Sequence, residues 1–333
     1  MSRQLDSGDY LDEDDVRIRP NPRGSKPRTK RRPNFDSAPL GMVLEVHLAR
    51  YRVLLEDGTE VIATLAKELR KEGAVTCDQV RLDGVVTGEK GALARIVKIE
   101  PRATQLSRSN DESEAGEQTI VANADQLMIV MAAANPEPRS GLVDRYLVAA
   151  YHAGIAPILV MTKCDLTDPS EFLAGFEGFD LRIVKTQKDK PNQQELEKLL
   201  PGHTTVLVGH SGVGKTTLIN AIAPLHKRAT GEVNALTGKG KHTSSSAKAI
   251  PVTDGWIVDT PGIRTFGLSG IDAAGLLKGF ADLDEAAKLC PRDCSHLALA
   301  PDCGLDEKVA SGALASKRLE SFRRLVDSIG SLD

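Results

Sequence analysis

Residues Gly209, His210, Ser211, Gly212, Val213, Gly214, Lys215 and Thr216 fill every position of the pattern G-x-x-x-x-G-K-[ST]. An apolar run at 205–208 precedes them and a helical pattern at 216–222 follows, so the context is strand, loop, helix. No other stretch constrains the fold as strongly. The glycines let the backbone curl until its N–H groups face a phosphate, at a helix N-terminus that already favours anions. Lys215 is expected to span β- and γ-phosphates, and the Thr216 hydroxyl to ligate Mg2+, with Thr217 beside it.

Two further elements fit the same site. Asp259-Thr260-Pro261-Gly262 follows the apolar run 256–258 and has the D-x-x-G arrangement. Its Asp would hold Mg2+ and its Gly N–H would sense a γ-phosphate. Between the two motifs lies Gly238-Lys239-Gly240-Lys241-His242-Thr243-Ser244, either a solvated linker or a switch in which Thr243 is the second hydroxyl on Mg2+. Base identity is read from Thr162-Lys163-Cys164-Asp165 at the end of another apolar run. A carboxylate there can accept both the N1–H and the 2-amino group of guanine. Thr162 stands where such motifs carry Asn, so somewhat weaker base binding is expected. The order is anomalous, because the base-reading motif precedes the phosphate loop. Circular permutation would build the same sheet with the chain cut and rejoined elsewhere.

Around these motifs, apolar runs at 126–132, 156–161, 181–184, 204–208 and 256–258 alternate with helical patterns at 141–152, 194–200 and 216–222. That alternation predicts a parallel sheet with helices on both faces. Five short β-like runs at 42–46, 51–55, 60–64, 79–86 and 91–99 predict a small Greek-key barrel of the OB type, a generic SH3-like barrel being the alternative. Within 37–104 ten basic side chains balance ten acidic ones and Tyr51 is the only aromatic, which argues against binding by base stacking. Residues 1–36 run from an acidic stretch into eight basic residues among prolines, and are expected to be disordered. They are either a solubilising tail or a phosphate-binding arm.

Cys290, Cys294, His296 and Cys303 crowd into one short stretch, and five cysteines is an odd number, so a metal site in a reducing compartment is favoured over disulfides. Three thiolates and an imidazole suit one closed, structural, tetrahedral Zn2+ per chain. A helical pattern at 310–329 carries Lys317, Arg318, Arg323 and Arg324. Forty-three basic against 46 acidic residues give a net charge of −3, which excludes a basic coat over the whole molecule. The longest apolar runs, such as 127–134, fall far short of the ~20 residues a bilayer span needs. A cytoplasmic monomer without a membrane anchor is expected. The expected organisation is a tail at 1–36, a barrel at 37–104, a permuted GTPase domain at 105–270 and a zinc-binding helical domain at 271–333.

Together these elements resemble the ribosome-small-subunit-dependent GTPase A family, circularly permuted GTPases with an N-terminal barrel and a zinc module. The resemblance also takes in Ile99-Glu100-Pro101-Arg102, Ala122-Asn123-Ala124-Asp125, Asp144-Arg145-Tyr146-Leu147 and Lys241-His242-Thr243. The switch reads Gly-Lys-His-Thr-Ser-Ser where the family has a run of threonines, and two cysteine gaps differ by one residue. Val184-Lys185-Thr186 stands where a Ser-Ala base motif is expected, leaving the guanine O6 contact unassigned. The resemblance implies GTP hydrolysis coupled to late maturation of the small ribosomal subunit, stimulated by that subunit and ending in release, with the barrel and zinc module contacting the particle and its rRNA. Where Ras-like proteins place a water-orienting Gln after D-x-x-G, this chain has Ile263, which donates no hydrogen bond. Slow intrinsic hydrolysis is expected, with Ile263 retracted and His242, or a group from the ribosome, orienting the water. The alternatives are a permuted GTPase acting on another RNA or on the large subunit, and a nucleotide-sensing RNA-binding module without turnover.

Overall fold

Strands β1 (Leu40–His47), β2 (Arg50–Leu55), β3 (Glu60–Leu65), β4 (Gln79–Gly84) and β5 (Ala94–Ile99) alternate buried and exposed side chains. The inward set, including Val43, Tyr51, Val53, Val61, Val80, Leu82 and Ile96, forms one apolar cluster. The strands run in the order β1-β2-β3-β5-β4, and β1 also pairs with β4, which closes the barrel. Only β3 and β5 are parallel within it. This is the OB-type barrel expected from the sequence.

The computed structural model describes residues 34–89, 91–109, 117–187, 192–223, 247–260, 266 and 271–330. The acidic and basic tail lies outside the described residues, apart from its last few positions.

The barrel shares its first strand with the rest of the sheet. A bulge in β1 between Val43 and Glu45 breaks its alternation. Val43 consequently points into the barrel, while Leu44 joins the larger core with Leu106, Val121 and Leu127. Beyond the bulge Glu45 pairs with Lys248, so β1 continues directly into the second half of the sheet. Asn123 seals the junction: its Oδ1 accepts the Ala103 N–H at 2.9 Å and its Nδ2 donates to the Cys77 carbonyl at 3.0 Å. The Thr76 hydroxyl donates to the Ala247 carbonyl at 2.8 Å.

After an unanticipated hairpin, β6 (Gln105–Ser109) and β7 (Glu117–Ala122), comes the expected alternation. Its elements are β8 (Gln126–Ala132), α1 (Ser140–His152), β9 (Ala156–Thr162), α2 (Ser170–Ala174), β10 (Arg182–Lys185), α3 (Gln193–Glu197), β11 (Thr204–Val208), α4 (Lys215–Ile222), β12 (Lys248–Val252) and β13 (Gly255–Asp259). Strands β10-β9-β8-β11-β13 are parallel, and β12 closes the run antiparallel to β13. All seven residues of β8 are buried, as a strand covered on both faces must be. Leu127, Ile129 and Met131 meet α1, whereas Met128, Val130 and Ala132 face Leu196, Leu218 and Ile219 of the opposite layer.

The remaining helices are α5 (Ala273–Leu277), α6 (Ala281–Ala287), α7 (Gly304–Ala310) and α8 (Ser316–Gly330). The helix expected over 310–329 begins only at Ser316, because Ala310 ends the preceding helix. Gly312 adopts φ +74°, its N–H donates to Val309, and Ala313 donates to Lys308, which is the glycine-ended Schellman turn. Leu319, Phe322 and Leu325 of α8 are buried. Each of its four cations has an internal partner, although Lys317 stays largely exposed. Arg324 reaches Asp144 on α1 at 2.8 Å, Arg318 lies over the Phe280 ring and bonds Asp282, Lys317 pairs with Glu177, and Arg323 chelates Asp306. No helix of the described residues is long and apolar enough to cross a membrane.

Candidate nucleotide site and metal centre

Strand β11 delivers the chain to the loop between two parallel neighbours, and the exit needs glycine. Gly209 has φ +145°, and a Cβ there would lie 2.2 Å from the Val130 carbonyl oxygen on β8. Gly212 and Gly214 are left-handed, at +81° and +101°. Helix α4 starts at Lys215 with no side-chain cap, which leaves the N–H groups of its first turn open to an anion. Thr216, Thr217, Ser211 and His210 line this rim. The Lys215 ammonium curls over the loop and donates to the carbonyls of Gly209 and His210.

Asp259 arrives from the next strand, since Leu207 and Asp259 are register partners. The Thr260 hydroxyl donates to the Leu207 carbonyl at 2.6 Å and pins the chain as it leaves β13. Burial pulls the Lys215 pKa down, with Asp259 opposing it. Burial pushes the Asp259 carboxyl up, with Lys215 and Lys248 opposing it. The two groups therefore share one partly desolvated corner, where a phosphate on one side and a divalent cation on the other would relieve both. Thr243, His242, Gly262 and Ile263 lie outside the described residues.

The base motif leaves β9, two strands away. Thr162 is buried, and its hydroxyl donates to the carbonyl of Val213 in the phosphate loop at 2.5 Å. A hydroxyl thus ties the two motifs together at the position where such motifs carry Asn. Lys163 turns the chain with φ +56°, and its ammonium donates to the Asn135 carbonyl. Cys164 N–H donates to the Thr186 carbonyl at 3.1 Å. Asp165 lines an open depression of about 730 Å³ together with Lys185, Gln187 and Asn192. Lys185 falls in the 184–186 stretch where a base motif is expected, whereas Gln187 and Asn192 carry no ligand signal in the sequence. Their placement follows from β10 lying beside β9, with Lys185 opposite Met161. Thr186 is buried and bonds back to Met161, so it holds the motif's loop rather than lining the depression.

The family-like stretches outside these loops act as seams. Asp125 accepts the Thr204 N–H at 2.9 Å, and its second oxygen bonds His203 Nδ1 at 2.9 Å. Arg102 chelates buried Asp78 at 2.7 and 2.8 Å and holds the barrel loop that follows β3.

Near the other end of the chain, the ligand atoms of Cys290, Cys294, His296 and Cys303 all lie within 4.8 Å of one another. Edges of about 3.8 Å are expected round a tetrahedral metal with bonds of ~2.3 Å to sulfur, so the set needs little contraction. His296 Nδ1 is buried with no hydrogen-bond partner, and a metal would satisfy it. Burial and Arg323 push the His296 pKa down, which favours the neutral imidazole a ligand must be. Burial holds the Cys303 thiol up at about 11 in the metal-free set. Arg323 braces the loop, donating to the carbonyls of His296 and Leu297 as well as to Asp306. The residues fit a metal ion.

A parallel sheet carrying a phosphate loop, a D-x-x-G strand and a base motif that precedes them in the chain defines a circularly permuted P-loop GTPase. The family model described as RsgA GTPase matches residues 99–269. The small ribosomal subunit biogenesis GTPase RsgA of Pseudomonas fluorescens (strain Pf0-1) is 33% identical over 267 residues, 75% of this chain and 77% of its own length. That of Ectopseudomonas mendocina (strain ymp) is 36% identical over 244 residues, 70% of each chain. Among solved structures, YjeQ from Thermotoga maritima superposes with a TM-score of 0.65 at 26% identity, over 87% of this chain and 98% of its own. YloQ, described as a circularly permuted GTPase, gives 0.64 at 22% identity over 90% and 98%, a likeness of fold. The chain belongs to the RsgA GTPase family.

Proposed function

We propose that this GTPase acts in the biogenesis of the small ribosomal subunit, that the subunit stimulates its hydrolysis of GTP, and that hydrolysis releases it. The observation that carries the nucleotide reading is the Thr162–Val213 hydrogen bond, which joins the base motif to the phosphate loop across reversed chain order. The names of the relatives support the subunit reading.

Asp165 accepts the N1–H and 2-amino group of guanine, with Thr162, Lys163 and Cys164 fixing its loop. The main chain of 209–217 cradles the phosphates, and Lys215 neutralises charge developing on the β–γ bridge. Thr216, Thr243 and Asp259 would hold Mg2+, which supplies charge stabilisation to the phosphates. The Gly262 N–H reads the γ-phosphate. Ile263 cannot orient the attacking water, so His242 or a ribosomal group does so. Cys290, Cys294, His296 and Cys303 would hold one structural Zn2+, with no position left open for chemistry. The protein works as a cytoplasmic monomer that touches rRNA.

Phosphate release from GTP and from ATP, measured with and without purified small subunits, tests this directly. GTP turnover raised at least tenfold by small subunits, with ATP inert, is the expected result (about 1.4 kcal/mol of barrier). Equal use of ATP, or stimulation by the large subunit alone, overturns it. His242→Ala with subunit-stimulated turnover intact removes His242 from the mechanism.

A further inference from the structure

At the N-terminal ends of the parallel strands, the end of the sheet opposite the nucleotide, lies a second cavity of about 430 Å³. Its polar wall is Gln126 at the start of β8, Asp180 and Arg182 at β10, Lys198 after α3 and His203 before β11. Among the described residues, neither Arg182 nor Lys198 forms an ion pair or side-chain hydrogen bond, and both are exposed. Gln126 is only 8% exposed. Its Oε1 accepts the Thr205 hydroxyl at 2.9 Å, while its amide N–H2 has no protein partner and borders the cavity. That amide nitrogen still reaches the solvent of the cavity, so its donors are available to a ligand. His203 is committed through Nδ1 to Asp125.

We propose that this basal cavity binds the sugar–phosphate backbone of RNA. Each of the two free cations at its mouth can neutralise a phosphodiester, which carries a single negative charge. Asp180 on the same wall repels a compact polyanion but accepts a hydrogen bond from a ribose 2′-hydroxyl, whose oxygen accepts in turn from Gln126. That pairing of cations with a donor and an acceptor distinguishes RNA from DNA and from free phosphate. With no aromatic side chain on the wall, recognition is independent of sequence. The inference deepens the small-subunit reading, on which it rests only for the source of the RNA.

The test uses the full chain saturated with a non-hydrolysable GTP analogue, so that the phosphate loop is filled. Binding of a short unstructured RNA, and of DNA of the same sequence, is followed by fluorescence anisotropy across a salt series. Arg182→Gln with Lys198→Gln keeps the side-chain stems and removes the charges. The double variant is expected to flatten the salt slope by about 1.4, so that wild type loses about sevenfold more affinity between 50 and 200 mM salt. Asp180→Ala is expected to narrow the preference for RNA over DNA about fivefold, the worth of one hydrogen bond. Analogue affinity and basal hydrolysis stay at wild-type values in both variants. An unchanged slope in the double variant overturns the proposal, and so does an unchanged RNA-to-DNA ratio in Asp180→Ala. Loss of subunit stimulation in wild type would instead overturn the small-subunit reading, so the two failures are told apart.

Discussion

Thr162→Val removes one hydroxyl from an otherwise isosteric side chain at the point where base motif and phosphate loop meet. The hydroxyl carries a single proton and gives it to the Val213 carbonyl at 2.5 Å; the Met131 carbonyl, at 3.3 Å, is the weaker alternative. The site is 6% exposed, so water cannot readily replace the lost donor. Deleting one partner of such a buried bond costs about 1–3 kcal/mol of folding stability. That loss falls on the nucleotide-free and the bound forms alike and by itself leaves affinity untouched. Affinity changes only through pre-organisation, because without the tether GTP must draw the two walls together, which costs about 1 kcal/mol or fivefold in Kd. Urea unfolding and calorimetric GDP titration therefore read different quantities. A lower unfolding midpoint with about fivefold weaker GDP binding is expected. A lower midpoint with unchanged Kd would show that Thr162 is merely a satisfied core hydroxyl, and the tether argument would fail.

Gly209→Ala drives a Cβ to within 2.2 Å of the Val130 carbonyl at φ +145°, whereas at Gly212 the nearest neighbour of a Cβ is the Pro136 Cδ at 3.9 Å. Gly209→Ala should cost about 3 kcal/mol or more and abolish GDP binding, with Gly212→Ala much milder; equal effects in calorimetry would refute the close-approach argument. Asp259 has its folded pKa raised by burial, so it weakens the nucleotide-free fold as pH rises above the ordinary aspartate range. Asp259→Asn should raise the Tm of the nucleotide-free protein at neutral pH while weakening Mg–GTP binding, and a lower Tm would contradict the sign. Purified full-length protein should carry one zinc per chain by elemental mass spectrometry, and Cys290→Ser should lose it and lower Tm. A metal-free but fully stable wild-type chain would remove the metal from the fold.

The phosphate loop was legible because glycine is demanded where the backbone turns left-handed and passes close to Val130, and β8 because a strand covered on both faces is apolar throughout. Other elements were hidden for identifiable reasons. The β6–β7 hairpin is built from polar segments such as QLSRS, which carry no periodic signal. Strand β12 contains Pro251, a residue that argues against a strand, yet as the last strand before the barrel it pairs with β13 through Pro251 and Trp256. Gly312 reads as a tolerated glycine in a helix until its two backbone bonds show it ending one. Gln187 and Asn192 join the depression beside Asp165 only because β10 lies next to β9, a strand order that residue spacing does not encode.

The cations of α8 show most clearly why a charge pattern is not a surface. In the sequence Lys317, Arg318, Arg323 and Arg324 are simply four cations on one helical pattern. Arg324, however, completes a hydrogen bond to Asp144, whose carboxyl is 6% exposed, and lies over the rings of Phe176 and Phe179. Withdrawing Arg324 to meet RNA would leave that carboxylate buried and unpaired, at a cost of up to about 3 kcal/mol given that the arginine is itself partly exposed. A phosphate contact returns about as much as one neutralised charge releases in counterions, and that return shrinks with salt. The exchange is unfavourable under cellular conditions, so these arginines hold the C-terminal helices to the GTPase sheet. Positive charge available to RNA has to come from side chains without an internal partner, and Arg182 and Lys198 at the base of the sheet are two of them.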